Sequence, residues 1–331
     1  MKTLVKPIIA ITIGDAAGIG PEIAIKALQD PAVYHLCNPV IVGDAKVIEF
    51  YADLFHLSLK INIIEDIGSA RFTFGVLDIV HIGNIRLDRL HIGAGDAMTG
   101  KAMLEYTDRA IELALTEKVS AVIGGPHSKK AVESAGIEFD GYPGFIARRT
   151  HTKNAEVFLM LVSENLRIVN VTLHVSLRSA LRMIKKELVL TAMRAANHAV
   201  KNLGVPHPRI AVAGLNPHAG EGGMFGDEEI EHINPAIAQA KHEGIDAHGA
   251  FGSDTLFLDL GRYDVFLAMY HDQAHIPIKL MAFNKITAMT IGTPVLFSTV
   301  GHGSAPDIAG KGIADPNSLI TAIKLLSGMR R

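Results

Sequence analysis

The stretch Asp264-Val-Phe-Leu-Ala-Met-Tyr-His271-Asp272-Gln273, running on to Lys279, decides how the rest of the chain is read. An unbroken apolar run ahead of His271 is the pattern of a short strand buried on both faces of a parallel sheet. Where the run stops come an imidazole, a carboxylate, an amide and, further on, a lysine. Polar groups that appear abruptly where a buried strand ends lie at the rim of a sheet, where α/β enzymes hold their ligands.

Two more runs end the same way: Leu166 to Leu173 leads to His174, and Arg209 to Pro217 leads to His218. None of the three histidines is read as part of a local H-x-x-x-H pair, so a shared metal site needs tertiary or intersubunit convergence. Three neutral nitrogens leave coordination positions open for substrate oxygens, a set suited to polarising a carbonyl. Asp272 and Asp227 are the carboxylates placed to orient an imidazole. Lys279 lies between Ile276-Pro-Ile and Leu280-Met-Ala, so its stem is expected in apolar surroundings. It is the candidate general acid or base.

Outward from this stretch the chain alternates β and α patterns. Ile8 to Ile13 is a β-branched run followed by Gly14-Asp-Ala-Ala-Gly18-Ile-Gly20-Pro21-Glu22 and a helical pattern to Leu28. The glycines match neither common nucleotide fingerprint, so a tight βα turn is expected rather than a phosphate cradle. Further strands are expected at Pro39–Gly43, Leu59–Ile64, Leu77–His81 and from Val119. A long amphipathic helix is expected from Gly95 to Thr116. His127, Ser128 and Lys129 fall at a helix start, suited to a phosphate or carboxylate or to a plain cap. Gly141-Tyr142-Pro143-Gly144 reads as a turn, a hinge or a pocket wall. Val157–Val162 and Leu166–Leu173 read as a hairpin around Ser163-Glu164-Asn165. Helices are expected at Leu188–Leu203 and Ser318–Leu326, and strands at Ala288–Thr293 and Val295–Thr299. The fold class is α/β.

At 331 residues two domains are expected, 1–130 with 300–331 and 131–299. A net charge of −2 argues against nucleic acid as a partner. No apolar run approaches the roughly 20 residues that cross a bilayer. Met1 to Lys6 leads into a strand without the apolar core of a secretory signal, so a cytoplasmic location is expected. With 16 histidines and one cysteine, any metal site draws on nitrogen and oxygen ligands.

Two motifs carry a family resemblance. His302-Gly303-Ser304-Ala-Pro-Asp307-Ile-Ala-Gly-Lys-Gly-Ile-Ala-Asp315-Pro316 resembles the coenzyme loop of isopropylmalate dehydrogenases, and Gly18-Ile-Gly-Pro-Glu22 the first turn of that superfamily. Gly214-Leu-Asn-Pro-His-Ala-Gly-Glu-Gly-Gly223, Ser253-Asp-Thr-Leu-Phe257 and Ala268-Met-Tyr-His-Asp-Gln273 resemble the 4-hydroxythreonine-4-phosphate dehydrogenase family. The resemblance runs from Ile8 to Leu326. It implies an isocitrate/isopropylmalate dehydrogenase-like fold, two α/β domains with a cleft between them, and a homodimer with shared active sites. It implies that His174, His218 and His271 hold a divalent metal, with zinc, cobalt, magnesium and manganese undistinguished. Lys279 matches a substrate-contacting lysine, and Asp272 shares its proton traffic. His302, Gly303, Ser304, Asp307 and Asp315 fall in the coenzyme loop. A carboxylate at Asp307 accepts ribose hydroxyls and repels a 2′-phosphate, so NAD is expected over NADP.

Substrate-binding positions fall at Tyr142 and Pro143, where the family has His-Thr, and at Lys279, His127 and Lys129. A substrate-binding asparagine and arginine of the vitamin-pathway enzymes fall on Ala288 and Phe297. These departures point to the sister branch acting on 4-phospho-D-threonate or D-erythronate, giving dihydroxyacetone phosphate, CO2 and NADH. The alternatives are 4-hydroxy-L-threonine-4-phosphate oxidation in pyridoxal phosphate synthesis and a non-catalytic paralogue that binds metal and nucleotide. A metal-dependent hydrolase leaves the 302–316 loop without a purpose.

Overall fold

The computed structural model describes residues 6–163, 166–258, 260–282 and 286–328. They fall into two compact α/β units, one running to Arg149 and including Pro294–Ser327, the other Thr150–Thr293.

In the first unit the strands are β1 (Ile8–Thr12), β2 (Asn38–Gly43), β3 (Lys60–Ile64), β4 (Val76–His81) and β5 (Ala121–Gly124). Its helices are α1 (Gly20–Leu28), α2 (Pro31–Leu36), α3 (Ala45–Leu54), α4 (Ala97–Leu115), α5 (Lys129–Ser134) and α6 (Tyr142–Arg149). The second unit carries strands β6 (Phe158–Ser163), β7 (Leu166–Asn170), β8 (Arg209–Ala213), β9 (Asp246–Phe251), β10 (Val265–Ala268) and β11 (Thr287–Ile291). Its helices are α7 (Leu177–Met183), α8 (Lys186–Asn202), α9 (Asn234–His242) and α10 (His271–Ala282). The chain then returns to the first unit with β12 (Phe297–Thr299) and α11 (Asn317–Ser327).

The first unit's strands lie in the order β3-β4-β2-β1-β5-β12, all parallel. Inward of the partly exposed edge strand β3 the apolar runs are buried on both faces, and Ile9, Ile11, Ile41 and Ile123 are sealed from solvent. Helix α4 starts at Asp96, whose carboxylate accepts from Thr99 N–H while the Thr99 hydroxyl accepts from Asp96 N–H. The second unit's order is β11-β6-β7-β10-β8-β9. β6 is antiparallel to both neighbours and β7, β10, β8 and β9 are parallel. β6 and β7 form the expected hairpin, whose loop residues 164–165 lie outside the described residues.

Two expectations are corrected. Tyr142-Pro143-Gly144 is not a turn but opens helix α6. Proline has no N–H to lose in a first helical turn, so Gly-Tyr-Pro-Gly starts a helix here instead of breaking one. The first unit also runs to Arg149, beyond 130, because α5 and α6 both pack on α4. Among the described residues, no helix is long and apolar enough to cross a membrane.

Candidate active site

The metal-side candidates all belong to the second unit. Strand β10 is fully buried and ends at Ala268, and three residues later His271 opens α10. The ends of β7 and β10 are tied together: Val171 N–H donates to Ala268 O (2.9 Å), and the Thr172 hydroxyl to Met269 O (2.8 Å). Gln273 fixes the turn, accepting from Met269 N–H and donating to Gly214 O (2.9 Å) and Ser253 Oγ (2.9 Å). The strand ends of β7, β8 and β10 are thus locked to one another by satisfied backbone and amide groups.

This brings two of the three predicted ligands together. The His174 and His271 rings lie 5.8 Å apart, centroid to centroid. Asp272 Oδ1 sits 2.6 Å from His271 Nδ1, a contact that can orient the ring and leave Nε2 as the free lone pair. A cavity of about 510 Å³ opens here, lined by His174, Ser176, Leu177, Tyr270, His271 and Asp272.

One residue was missed. His275 is four residues from His271, one helical turn on, and its ring stacks on His271 at 3.8 Å with planes 10° apart. The H-x-x-x-H spacing was in the sequence, so the reading that His271 lacks a local pair was wrong. His275 Nε2 is shielded from solvent and has no hydrogen-bond partner among the described residues. Burial, then the neighbouring His271, Lys279 and His174, pull its pKa down to about 4, against the opposing Asp272. Lys279 is in this neighbourhood, but on an exposed position of α10 rather than in apolar surroundings.

His218 stands elsewhere. It begins a left-handed turn in which every residue from His218 to Gly223 has positive φ, between 44° and 103°. Three of the six are not glycine, and each costs on the order of 1 kcal/mol in that conformation. The turn is held by Glu229, a buried carboxylate that accepts from Leu215 N–H (2.6 Å), Asn216 N–H (2.8 Å) and Asn216 Nδ2 (2.9 Å). His218 is exposed, beside Phe225. Among the described residues of one chain, no three histidine, cysteine or carboxylate side chains form a metal-holding group. Two imidazoles, one oriented by a carboxylate, fit a divalent metal in donor type, and a third ligand has to come from outside this pair. Asp227 is exposed near Gly223, not beside these rings.

The coenzyme-side candidates belong to the first unit. Gly18 packs on Ser304, where a methyl group would stand 2.7 Å from Ser304 Cβ and its carbonyl oxygen. The turn's N–H groups are spent internally: Asp15 on Pro126 O, Ala17 on Asp15 Oδ1, Gly18 on Asp15 O and Ile19 on Ser304 O. The expected tight turn is present, and it is the platform on which the 302–315 loop rests. Burial pushes the Asp15 carboxyl up, offset in part by Ala17 N–H and Thr99, while Asp96 raises it further. His302 Nε2 is shielded and without a partner among the described residues. Asp307 is exposed, and Asp315 accepts from Asn317 N–H (2.9 Å) at the start of α11. An open carboxylate and an orphaned imidazole nitrogen on one loop fit a nucleotide with ribose hydroxyls.

The substrate-reading candidates of this unit form an aromatic cluster. His127 meets Phe139 and Tyr142 edge-on at 5.4 and 5.1 Å. Burial, with Lys129 adding, pulls its pKa down to about 4, so it is neutral at pH 7. Tyr142 is buried, its hydroxyl donating to Gly125 O (2.7 Å), and Phe297 packs on it at 5.1 Å with no exposed surface. Ser128 caps α5, accepting from Ala131 N–H, and Lys129 and Pro143 follow at helix starts, Lys129 exposed. Ala288 lies on β11.

With this geometry in place, the comparisons with known proteins decide the family. The model of the pyridoxal phosphate biosynthetic protein PdxA matches residues 35–326. The chain belongs to that family. It is 41% identical over 323 residues to a 4-hydroxythreonine-4-phosphate dehydrogenase of Desulforapulum autotrophicum, covering 97% of this chain and 94% of that one. It is 40% identical over 322 residues to a Clostridium botulinum protein provisionally named D-threonate 4-phosphate dehydrogenase, covering 97% and 96%. The crystal structure of a Burkholderia phymatum 4-hydroxythreonine-4-phosphate dehydrogenase superposes with TM-score 0.90 at 38% identity, covering 99% and 100%. That of a terephthalate 1,2-cis-dihydrodiol dehydrogenase from Burkholderia xenovorans superposes with TM-score 0.74 at 39% identity, covering 97% and 98%.

Proposed function

We propose that this PdxA-family dehydrogenase uses NAD and a divalent metal to oxidise and decarboxylate a 4-phosphorylated four-carbon hydroxy acid. The substrate is 4-phospho-D-threonate or D-erythronate, and the products are dihydroxyacetone phosphate, CO2 and NADH. The observation that carries the reading is the meeting of His174 with His271 and its orienting carboxylate, Asp272, at the rim of a buried parallel sheet.

His174 and His271 would hold the metal from one chain, and His218 would complete the site from a second copy. Two features support a homodimer. His174 and His218 are both exposed in the single chain, and so are the apolar side chains near them: Leu177, Met224, Leu258, Ile276 and Leu280. Leu258 and Leu280 each expose 82% of their surface, more than an isolated soluble surface comfortably carries in one patch. The bound metal supplies Lewis acidity at the reacting oxygen. Asp272 keeps the His271 lone pair directed at it, and Lys279 on α10 moves the proton of the alcohol and later protonates the carbon that loses CO2. Asp307 accepts the ribose hydroxyls of NAD, and His302 offers its unpartnered Nε2 to the same ligand.

The test is NADH formation at 340 nm across a panel of acids with added divalent metals. The reading expects kcat/KM for 4-phospho-D-threonate or D-erythronate at least about tenfold above that for 4-hydroxy-L-threonine 4-phosphate, the worth of one lost polar contact. The reverse order assigns the chain to pyridoxal phosphate synthesis, and silence with every acid and metal favours a non-catalytic paralogue. A second reading, a carboxylated cis-diol without phosphate, is supported by Phe297. Where the vitamin-pathway enzymes use an arginine, this chain has a wholly buried ring packed at a tilt against Tyr142, and the similar Burkholderia xenovorans enzyme is named for such a diol. Including one such diol in the panel separates the two.

A further inference from the structure

We propose that Glu22 and Lys26, an ion pair on helix α1 remote in sequence from the 302–315 loop, are positioning residues that set coenzyme affinity. The inference rests on the reading of that loop as the NAD site.

Glu22 is wholly buried in the first turn of α1. Its Oε1 accepts from Lys26 Nζ at 2.7 Å and from Ala314 N–H at 2.8 Å. Lys26 Nζ also donates to Gly312 O at 2.8 Å and to Ala314 O at 2.9 Å. One carboxylate and one ammonium therefore fasten three backbone groups of residues 312–314. The other end of the loop is held by the start of the same helix, through Ile19 N–H on Ser304 O (3.0 Å) and the close approach of Gly18. Asp307 lies between these two fastenings, exposed.

The arrangement explains a buried carboxylate and a half-shielded lysine with no place in the chemistry. Backbone carbonyls at 312 and 314 that lack a donor turn toward water, and the loop then samples conformations in which Asp307 no longer faces the ribose. Coenzyme must select the held conformation, so its apparent affinity falls by the fraction of loops that leave it. A pair that served only to join α1 to α11 would change stability and leave affinity alone.

The experiment compares wild type, Lys26→Ala, Lys26→Arg and Glu22→Gln, all as holoprotein with added metal. NAD Kd is read by calorimetry, kcat and KM for NAD by NADH formation, and amide exchange at residues 312–315 in coenzyme-free protein. In Lys26→Ala, exchange at Ala314 is expected to accelerate and the Kd and KM for NAD to rise roughly tenfold or more, the worth of a charged hydrogen bond. kcat at saturating NAD stays within about twofold, and Lys26→Arg and Glu22→Gln, which retain donors or the acceptor, fall between. A lowered melting temperature with unchanged NAD Kd overturns the proposal, as does unchanged exchange at 312–315. Wild-type protein that fails to bind NAD overturns the coenzyme reading itself, while the exchange data still report whether the pair holds the loop.

Discussion

In the first unit, the loop that reads as a coenzyme site is fastened from within the chain. Gly301 N–H donates to Ser318 Oγ, Ile19 N–H to Ser304 O, and Glu22 and Lys26 hold 312–314. In the second unit, the histidines that read as metal ligands are pre-positioned but stand open. His174 and His271 are side by side, His218 projects from a turn pinned by Glu229, and apolar side chains around them are exposed. The contrast teaches that the two halves of one reaction have different requirements. A nucleotide loop needs only its own backbone satisfied, whereas the metal site needs a further ligand and a cover for apolar surface. The first unit is expected to bind its ligand as a monomer, and the second is not.

The largest effect that bears on this contrast is expected from His271→Ala. Metal content by mass spectrometry and turnover should both be lost, while NAD binding by calorimetry stays within about twofold, because the loop lies in the other unit. Loss of NAD binding would erase the division. Lys279→Ala comes next: metal and NAD are retained, and kcat falls by about 10²–10⁴, the range for a lost general acid or base. Unchanged kcat removes Lys279 from the mechanism. Asp272→Asn is expected to weaken metal binding by about 10–100-fold, since it replaces the acceptor that orients His271, with little change in NAD affinity.

The smallest effect sharpens the picture of the first unit. His127 is held at a pKa of about 4 by burial and by Lys129, against an unfolded value near 6.5. Between those values the unfolded chain binds a proton that the folded chain refuses, so His127 makes stability fall as pH drops from about 6.5 to 4. His127→Phe should flatten that part of a urea-denaturation series against pH. An unaltered slope would place the titration elsewhere.

What could be read in advance follows from what each signal depends on. The buried strands β1, β2, β8 and β10 were legible because doubly covered strands are continuous apolar runs. The positions of His174, His218 and His271 just past strand ends are legible because a polar residue directly after such a run has few places to go. The opening of α6 is ambiguous in the sequence because Pro and Gly mark turns and helix starts alike. His275 is marked in the sequence by its four-residue spacing from His271, but only the first turn of α10 stacks the two rings. The separation of His218 from its two companions was not legible at all. It depends on a left-handed turn held by Glu229, a contact made across 13 and 14 residues that no local pattern encodes. The Glu22–Lys26 pair spans nearly the whole chain in reaching Ala314, and only the folded packing of α1 against the returning segment reveals it.

The central claim is that His174 and His271 of one subunit share a metal with His218 of another. Mixing inactive His218→Ala and His271→Ala proteins, unfolding and refolding them together, tests it directly. Random reassociation makes half the dimers mixed, each with one intact site of two, so about a quarter of wild-type turnover and metal content should return. If the three ligands came from one chain, or if the metal were held without His218, the mixture would stay as inactive as its parents or the His218→Ala protein would never have been inactive.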